Sequence, residues 1–295
     1  MIMNSRKVKV GIIGTGNIGT DILMKLKRSE ILECGIFVGR NKESKGMKIA
    51  QEMGVLCSVD SIRAIQENRD CCDIVFDATS ADVHKINAPI LKDLGKFTID
   101  LTPAHVGKMC VPVLNMDKCL NETNVNLITC GGQATTPIAY AISKIHPETK
   151  YFEVVATIAS KSAGAGTRNN IDEFTQATSD ALREFTGIKN TKAIILLNPG
   201  EPPITMHNTI YALIDEPDMD AIRAAVSDME SQIKKYVPGY SIVMEPTYEN
   251  GRVTTTLQVI GLGDYLPQYA GNLDIITCAA IEVAETYARE KILRD

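Results

Sequence analysis

In "VNLITCGGQATTPIAYAIS", residues 125–143, Cys130 stands between an apolar run and a helical pattern, and two glycines follow it. A cysteine at a helix N-terminus meets unpaired backbone N–H groups and the positive end of the helix dipole, both of which favour the thiolate. That is the setting of a nucleophile. Gly131 and Gly132 would keep the space above the sulfur open and leave two N–H groups for a developing oxyanion. The competing reading is a packed thiol at a strand end. The other seven cysteines, at 34, 57, 71, 72, 110, 119 and 278, lack this arrangement. Cys34, Cys71 and Cys72 fall in or beside strand-like runs, Cys278 falls within a helical one, and no helix-opening glycine pair follows Cys57, Cys110 or Cys119.

A second chemistry-bearing motif lies near the start. "KVKVGIIGTGNIGTDILMKL" runs from an apolar strand through Gly14, Gly16 and Gly19 into a helix, the order of a dinucleotide-binding turn. The first glycine permits the tight turn, the second lets the backbone approach a pyrophosphate, and the third brings the helix close to the strand. The residue that reads the ribose falls about twenty positions further on, where this chain has Arg40 and Asn41 instead of a carboxylate. An arginine there can pair with a 2′-phosphate, which keeps NADP beside NAD as the cofactor; in the alternative, Arg40 simply points into solvent. A nicotinamide cofactor next to a cysteine nucleophile implies one chemistry. The thiolate adds to an aldehyde, the adduct gives up hydride, and the resulting thioester passes to water, phosphate or coenzyme A.

These groups need elements to hold them. "ECGIFVG" (33–39) precedes a helical segment near 43–53, "CDIVFDAT" (72–79) precedes one near 81–94, and "KFTIDL" and "VNLITC" look like further buried strands. Such alternation predicts a parallel sheet covered on both faces. Beyond about residue 150 the strands lengthen ("YFEVVATIAS", "TKAIILLNP", "NTIYALID"), with helical patterns near 169–186 and 218–236. Asn250-Gly251 is a favoured type I′ hairpin dipeptide. This half predicts a mostly antiparallel sheet with helices on one face, whose open face suits a dimer or larger assembly. The last helical pattern, "NLDIITCAAIEVAETYAREKI", is long enough to return to the first domain. The predicted organisation is a dinucleotide-binding domain over 1–130, completed by 272–295, and a catalytic and oligomerisation domain over 131–271.

Composition narrows the partners. A net charge of −5 offers no basic surface to nucleic acid or to an anionic membrane. There is no run of about eighteen apolar residues, and the first basic residues lead into the glycine turn and not into a signal-peptide core. A cytoplasmic location with free thiols follows as the expectation. With four histidines and no H-x-x-H or C-x-x-C spacing, no metal site is expected. His84 falls on an amphipathic helix, His105 close to a strand end and His146 at a helix end beside Pro147.

The stretches "IIGTGNIGTD", "VFDATSA", "IDLTPAHVG", "CVPVLN", "NVNLITCGGQAT", "SKSAGAGTRNNIDEFT", "NPGEPP", "YVPGY" and "YLPQYAGNLDI" cover the chain from end to end. Together they resemble the acylating acetaldehyde dehydrogenases, which partner 4-hydroxy-2-oxovalerate aldolase in bacterial catabolism of aromatic compounds. The resemblance implies that Cys130 is the acyl-thioester nucleophile. It implies that Thr15, Gly16, Asn17 and Ile18 contact NAD, as do Ser162, Ala163, Gly164, Ala165, Gly166, Thr167, Arg168, Asn169 and Asn170, with Asn272 joining from the returning helix. It implies an α/β fold similar to glyceraldehyde-3-phosphate dehydrogenase, a Rossmann-type doubly wound parallel sheet plus an α+β catalytic and dimerisation domain. It further implies coenzyme A as acceptor, acetaldehyde or another short aldehyde as substrate, and a complex with the aldolase. On its residues alone "SAGAGTRNN" is a small-residue loop that could close over a dinucleotide, or a plain loop with a helix cap.

Three departures from the family pattern stand out. Arg40-Asn41 replaces an acidic residue, His207-Asn208 replaces Arg-Asp, and the stretch between "YVPGY" and "YLPQYAGN" is shorter. Asn208 cannot accept a proton as a carboxylate would, and His207 either compensates or is a strand-edge surface residue. Two other functions stay open at this point. One is a phosphorylating semialdehyde dehydrogenase of the same fold, which needs cations for phosphate. The other is a non-catalytic dinucleotide-binding scaffold or sensor, against which the retained "TCGGQAT" argues.

Overall fold

The structure is a computed structural model that describes residues 7–164, 167, 168 and 170–294. The chain divides into two compact units, Met1–Leu127 with Thr277–Asp295, and Ile128–Ile276.

The first unit is built on runs of apolar residues that can be buried on both faces only in a parallel sheet. Its strands are β1 (Val8–Ile13), β2 (Leu32–Val38), β3 (Cys57–Ser58), β4 (Ile74–Asp77), β5 (Phe97–Asp100), β6 (Lys108–Met109) and β7 (Asn124–Asn126). They pair in parallel in the order β3-β2-β1-β4-β5-β7-β6. Helices α1 (Asn17–Leu26), α2 (Lys45–Glu52), α3 (Ile62–Glu67), α4 (Ala81–Asp93) and α5 (Pro112–Cys119) connect them. The order reverses between β1 and β4, which places the ligand crevice of a doubly wound sheet at the carboxyl ends of those two strands. Lys25 and Asp21 of α1 form a buried ion pair at 2.9 Å, and Thr277 donates a 2.6 Å hydrogen bond to the same carboxylate. Phe97 stacks on Tyr287 with ring centroids 3.8 Å apart. These contacts dock residues from 277 onward on the first unit.

Register lines up a row of polar residues at the sheet's carboxyl end. Asp77 pairs with Asp100 and Asp100 with Asn126, each closing its strand. His84 of α4 is fully buried between them, with Nδ1 2.9 Å from Asp77 and Nε2 3.4 Å from Asp100. Asn87 donates to Asp77, and Asn126 to Asp100. The sequence places His84 on an amphipathic helix and gives it no role; here it joins two buried carboxylates. Burial pushes the Asp100 carboxyl up to about 6, while His84, Thr102 and Asn126 pull it back.

The second unit carries one sheet, β11-β12-β10-β8-β9. Its strands are β8 (Tyr151–Ala159), β9 (Thr191–Asn198), β10 (Met206–Leu213), β11 (Tyr240–Glu249) and β12 (Arg252–Val259). All pairs are antiparallel except β8 with β9, whose connection contains a helix. Its helices are α6 (Cys130–Ile145), α7 (Ile171–Thr186), α8 (Met219–Ile233) and the start of α9 (Gly271–Tyr287). Strict alternation of buried and half-buried residues along β8, β10 and β12 gives the sheet one covered and one open face. Asn250 and Gly251 both take positive φ, as a type I′ turn requires. His207 stands on β10, which is flanked by β12 and β8, so the expectation of a strand-edge position is corrected. Among the described residues no helix is long and apolar enough to cross a membrane.

The buried His84 bridge yields a stability prediction. Removing a buried donor leaves its acceptor unsatisfied and costs about 1–3 kcal/mol, so His84→Ala, which strips Asp77 of a partner at 2.9 Å, should lower urea-unfolding stability by that order at pH 8. Because the folded Asp100 carboxyl titrates above its unfolded value, its ionisation erodes stability as pH rises toward 6. Without His84 that erosion deepens. The variant's deficit should therefore be smaller at pH 5 than at pH 8, and equal deficits at both would contradict the assignment.

Candidate active site

The turn after β1 has the geometry its glycines suggest. Gly14 has φ +113°, and a Cβ there or on Gly19 would collide with backbone, of Ala78 and Gly14 respectively. Around Gly16, by contrast, nothing lies within 4 Å of where a Cβ would stand. The open side of the turn is thus at the N-terminus of α1, where the leading N–H groups of Asn17 and Ile18 have no intrahelical partner. An anion fits there. The Ser44 hydroxyl donates to Thr15 Oγ1 at 2.9 Å, and Arg40 is exposed beyond β2. In the second unit, Asn272 at the start of α9 is buried with Oδ1 unpartnered. An orphaned buried acceptor of this kind calls for a donor from outside the protein. The turn at the start of α1 by itself fits the pyrophosphate of a dinucleotide.

Cys130 is the first residue of α6. Thr129 caps the helix, its Oγ1 accepting the Gly132 N–H at 2.8 Å while meeting Thr178 of α7 at 2.7 Å. Since Thr178 donates to the Phe174 carbonyl, Thr129 donates to Thr178. The predicted strand through residue 129 is shorter than expected: β7 ends at Asn126, and the chain turns sharply with Ile128 at φ +63°. A β-branched residue in the left-handed region costs roughly 1–2 kcal/mol, and such strain persists where surroundings enforce it.

One expectation about the thiol changes. Burial pushes the Cys130 thiol up to about 12, against the pull of the Gly131 and Cys130 backbone N–H groups. With the residue only 8% exposed, desolvation outweighs the helix terminus, and the sulfur rests as a neutral thiol. A Cβ on Gly131 would meet Phe174 at 3.5 Å and Ala156 at 3.6 Å, and one on Gly132 would meet Ile128 and Thr129 at 3.0 Å. The Gly132 N–H is taken by the cap, so the donors turned toward the sulfur are those of Cys130 and Gly131.

The loop expected to close over the cofactor is partly described. Ser162 is buried and donates to the Ala159 carbonyl. Arg168 is engaged with the carbonyls of Ala163 and Ser160 and the Ser160 hydroxyl. Gly164 has open space where a side chain would be, Thr167 is half-buried, and Asn170 precedes α7. Ala163 is buried. Ala165, Gly166 and Asn169 lie outside the described residues. His146 closes α6 through its backbone N–H, which donates to the Ile142 carbonyl, while its side chain accepts the Asp218 N–H at 2.8 Å. Among the described residues no cluster of histidine, cysteine and carboxylate side chains is arranged to hold a metal ion.

Residues 9–122 match the family described as semialdehyde dehydrogenase, NAD binding domain, and residues 130–267 match prokaryotic acetaldehyde dehydrogenase, dimerisation. The acetaldehyde dehydrogenase of Pectobacterium atrosepticum is 55% identical over 95% of this chain and 96% of its own length. This chain belongs to the acetaldehyde dehydrogenase family. The acetaldehyde dehydrogenases of Spirochaeta aurantia, 51% identical over 97% of this chain and 96% of theirs, and of Geobacillus stearothermophilus, 53% identical over 97% and 98%, span it equally fully. An acetaldehyde dehydrogenase is an oxidoreductase, and the first domain here is the family's NAD-binding one.

What residue types alone do not disclose is the setting of Asn208. It is fully buried on β10 with neither amide atom hydrogen-bonded, a condition that costs about 1–3 kcal/mol. Its sequence signals are a polar residue at an inward position of an otherwise apolar alternation and the departure from the family's Arg-Asp pattern at 207–208.

Two tests follow from the α6 geometry. Gly131→Ala should be tolerated, whereas Gly132→Ala should destabilise by about 1–3 kcal/mol through overpacking; thermal unfolding of both decides it. Alkylation of Cys130 by iodoacetamide, followed by peptide mass spectrometry in the ligand-free protein, should rise roughly tenfold per pH unit above neutrality. A plateau near pH 8 would contradict a thiol pushed up to about 12.

Proposed function

We propose that this protein oxidises acetaldehyde to acetyl-coenzyme A with NAD and coenzyme A, through a thioester on Cys130. The observation that carries the reading is Cys130 at the first position of a capped helix, with the N–H groups of Cys130 and Gly131 turned toward its sulfur. Buried as a neutral thiol, the sulfur must lose its proton as the bond to the aldehyde carbon forms. The same backbone donors then face the charge that develops there. Bound NAD supplies the electron-pair acceptor. Gly14, Thr15, Gly16, Asn17, Ile18 and Gly19 would hold its pyrophosphate at α1, and Asn272 and the stretch from Ser162 to Asn170 enter the reading through the family resemblance.

The acceptor is coenzyme A in this reading, not phosphate, because Arg168 is already occupied by carbonyls of its own loop. The dimerisation domain supports a homodimer, and the open face of the second sheet is the surface proposed for it. Handover of the aldehyde from 4-hydroxy-2-oxovalerate aldolase and a cytoplasmic location belong to the same reading. They rest on the family resemblance and on composition.

The test is near-ultraviolet absorbance of reduced cofactor with acetaldehyde and coenzyme A, NAD and NADP being supplied separately. Reduction should require coenzyme A, and Cys130→Ala should lower kcat/KM by more than about 10³-fold. If Arg40 reads a 2′-phosphate, NADP should also serve, and Arg40→Ala should weaken NADP selectively. Reduction that depends on phosphate would reject the acylating reading.

A further inference from the structure

The unpaired amide of Asn208 sits where it can be located by register. Asn208 lies opposite Ala156 of β8 on the inner face of the sheet. Ala156 in turn abuts α6, since its Cβ is 3.6 Å from where a Cβ of Gly131 would stand. Directly opposed antiparallel residues carry Cβ atoms about 4.5–5.5 Å apart. The Asn208 side chain is therefore within one residue's reach of the first turn of α6, where the Cys130 and Gly131 N–H groups converge on the sulfur. A helix N-terminus, a buried nucleophile and a fully buried amide with no protein partner share one place. Buried polar groups are otherwise nearly always satisfied, so this amide marks a partner that arrives from outside.

We propose that Asn208 is a catalytic residue, donating from Nδ2 to the acyl oxygen of the substrate while that substrate is joined to Cys130. The proposal rests on the acylating reading. As the sulfur–carbon bond forms, the thiol proton leaves to solvent and the carbonyl electron pair moves onto oxygen, where the amide meets it. The pair re-forms the carbonyl as the C–H bond breaks, oxidising the aldehyde carbon while NAD is reduced. The coenzyme A thiol then adds to the thioester, the bond to Cys130 breaks, and the departing cysteine sulfur takes the proton that coenzyme A releases. Asn208 takes part in that last transfer only as a donor, because an amide has no ionisable proton to exchange.

Asn208→Leu keeps the volume and removes the amide; Asn208→Ala is its companion. The readouts are the rapid-mixing burst of reduced cofactor without coenzyme A, the Tm, and the alkylation rate of Cys130. In Asn208→Leu the burst should slow by about 10²–10³-fold. Its Tm should equal or exceed that of the unaltered protein, since an unsatisfied buried amide has gone, and Cys130 alkylation should be unchanged. An unchanged burst overturns the proposal. So does a slow burst accompanied in both variants by lower Tm and altered alkylation, which would make Asn208 part of the scaffold. If the unaltered protein reduces no cofactor with acetaldehyde and coenzyme A, the acylating reading itself falls and the proposal falls with it.

Discussion

The hydrogen bond from the Gly132 N–H to Thr129 Oγ1 fixes where the nucleophile stands. It satisfies one of the donors that every helix start leaves open, and through Thr178 it ties α6 to α7. Because the cap consumes the Gly132 N–H, the two preceding donors are left turned toward the sulfur. The sharp turn at Ile128 that precedes the cap carries strain, and the packing of a fully buried helix start is what holds it. Glycine suits position 132 because a side chain would press on Ile128 and the capping hydroxyl. Position, donors and burial of Cys130 all descend from this arrangement.

Burial then sets the chemistry. The same enclosure that keeps water from a thioester removes solvent from the thiol, and desolvation raises its pKa more than the helix terminus lowers it. A resting neutral thiol is inert toward adventitious oxidants and electrophiles and becomes a nucleophile only as its bond forms. Asn208 follows the same logic. An unpaired amide in this enclosure weakens the fold, a cost that a reacting oxygen would offset.

The first unit solves a different problem. Its strands β4 and β5 end in carboxylates, and register sets those side by side in the sheet interior. Two adjacent buried anions would be unstable, so α4 inserts His84 between them, while Asn87 and Asn126 supply further donors. The Ala78 backbone that follows Asp77 is what Gly14 packs against. The polar row and the dinucleotide turn therefore share one end of the sheet, the end where a doubly wound fold binds ligands.

Much of this was legible in the sequence. Apolar runs alternating with helical patterns gave the parallel sheet, "GTGNIG" gave the turn, and Asn250-Gly251 gave the hairpin, because strand period, glycine stereochemistry and turn type are local properties. Position 130 as a helix-opening cysteine was legible for the same reason. Three things required the tertiary structure. What a side chain would meet at the glycines after Cys130 is set from elsewhere: Phe174 and Ala156 at Gly131, and Ile128 and Thr129 at Gly132, are brought there by another helix, a strand and the turn before the cap. The thiol reads as activated, yet its protonation depends on burial, which is a sum over neighbours distant in the chain. His84 reads as a polar residue on an amphipathic helix and Asn208 as an amide where the family pattern has a carboxylate; only strand register and helix placement put one between two carboxylates and leave the other without a partner beside the nucleophile's helix.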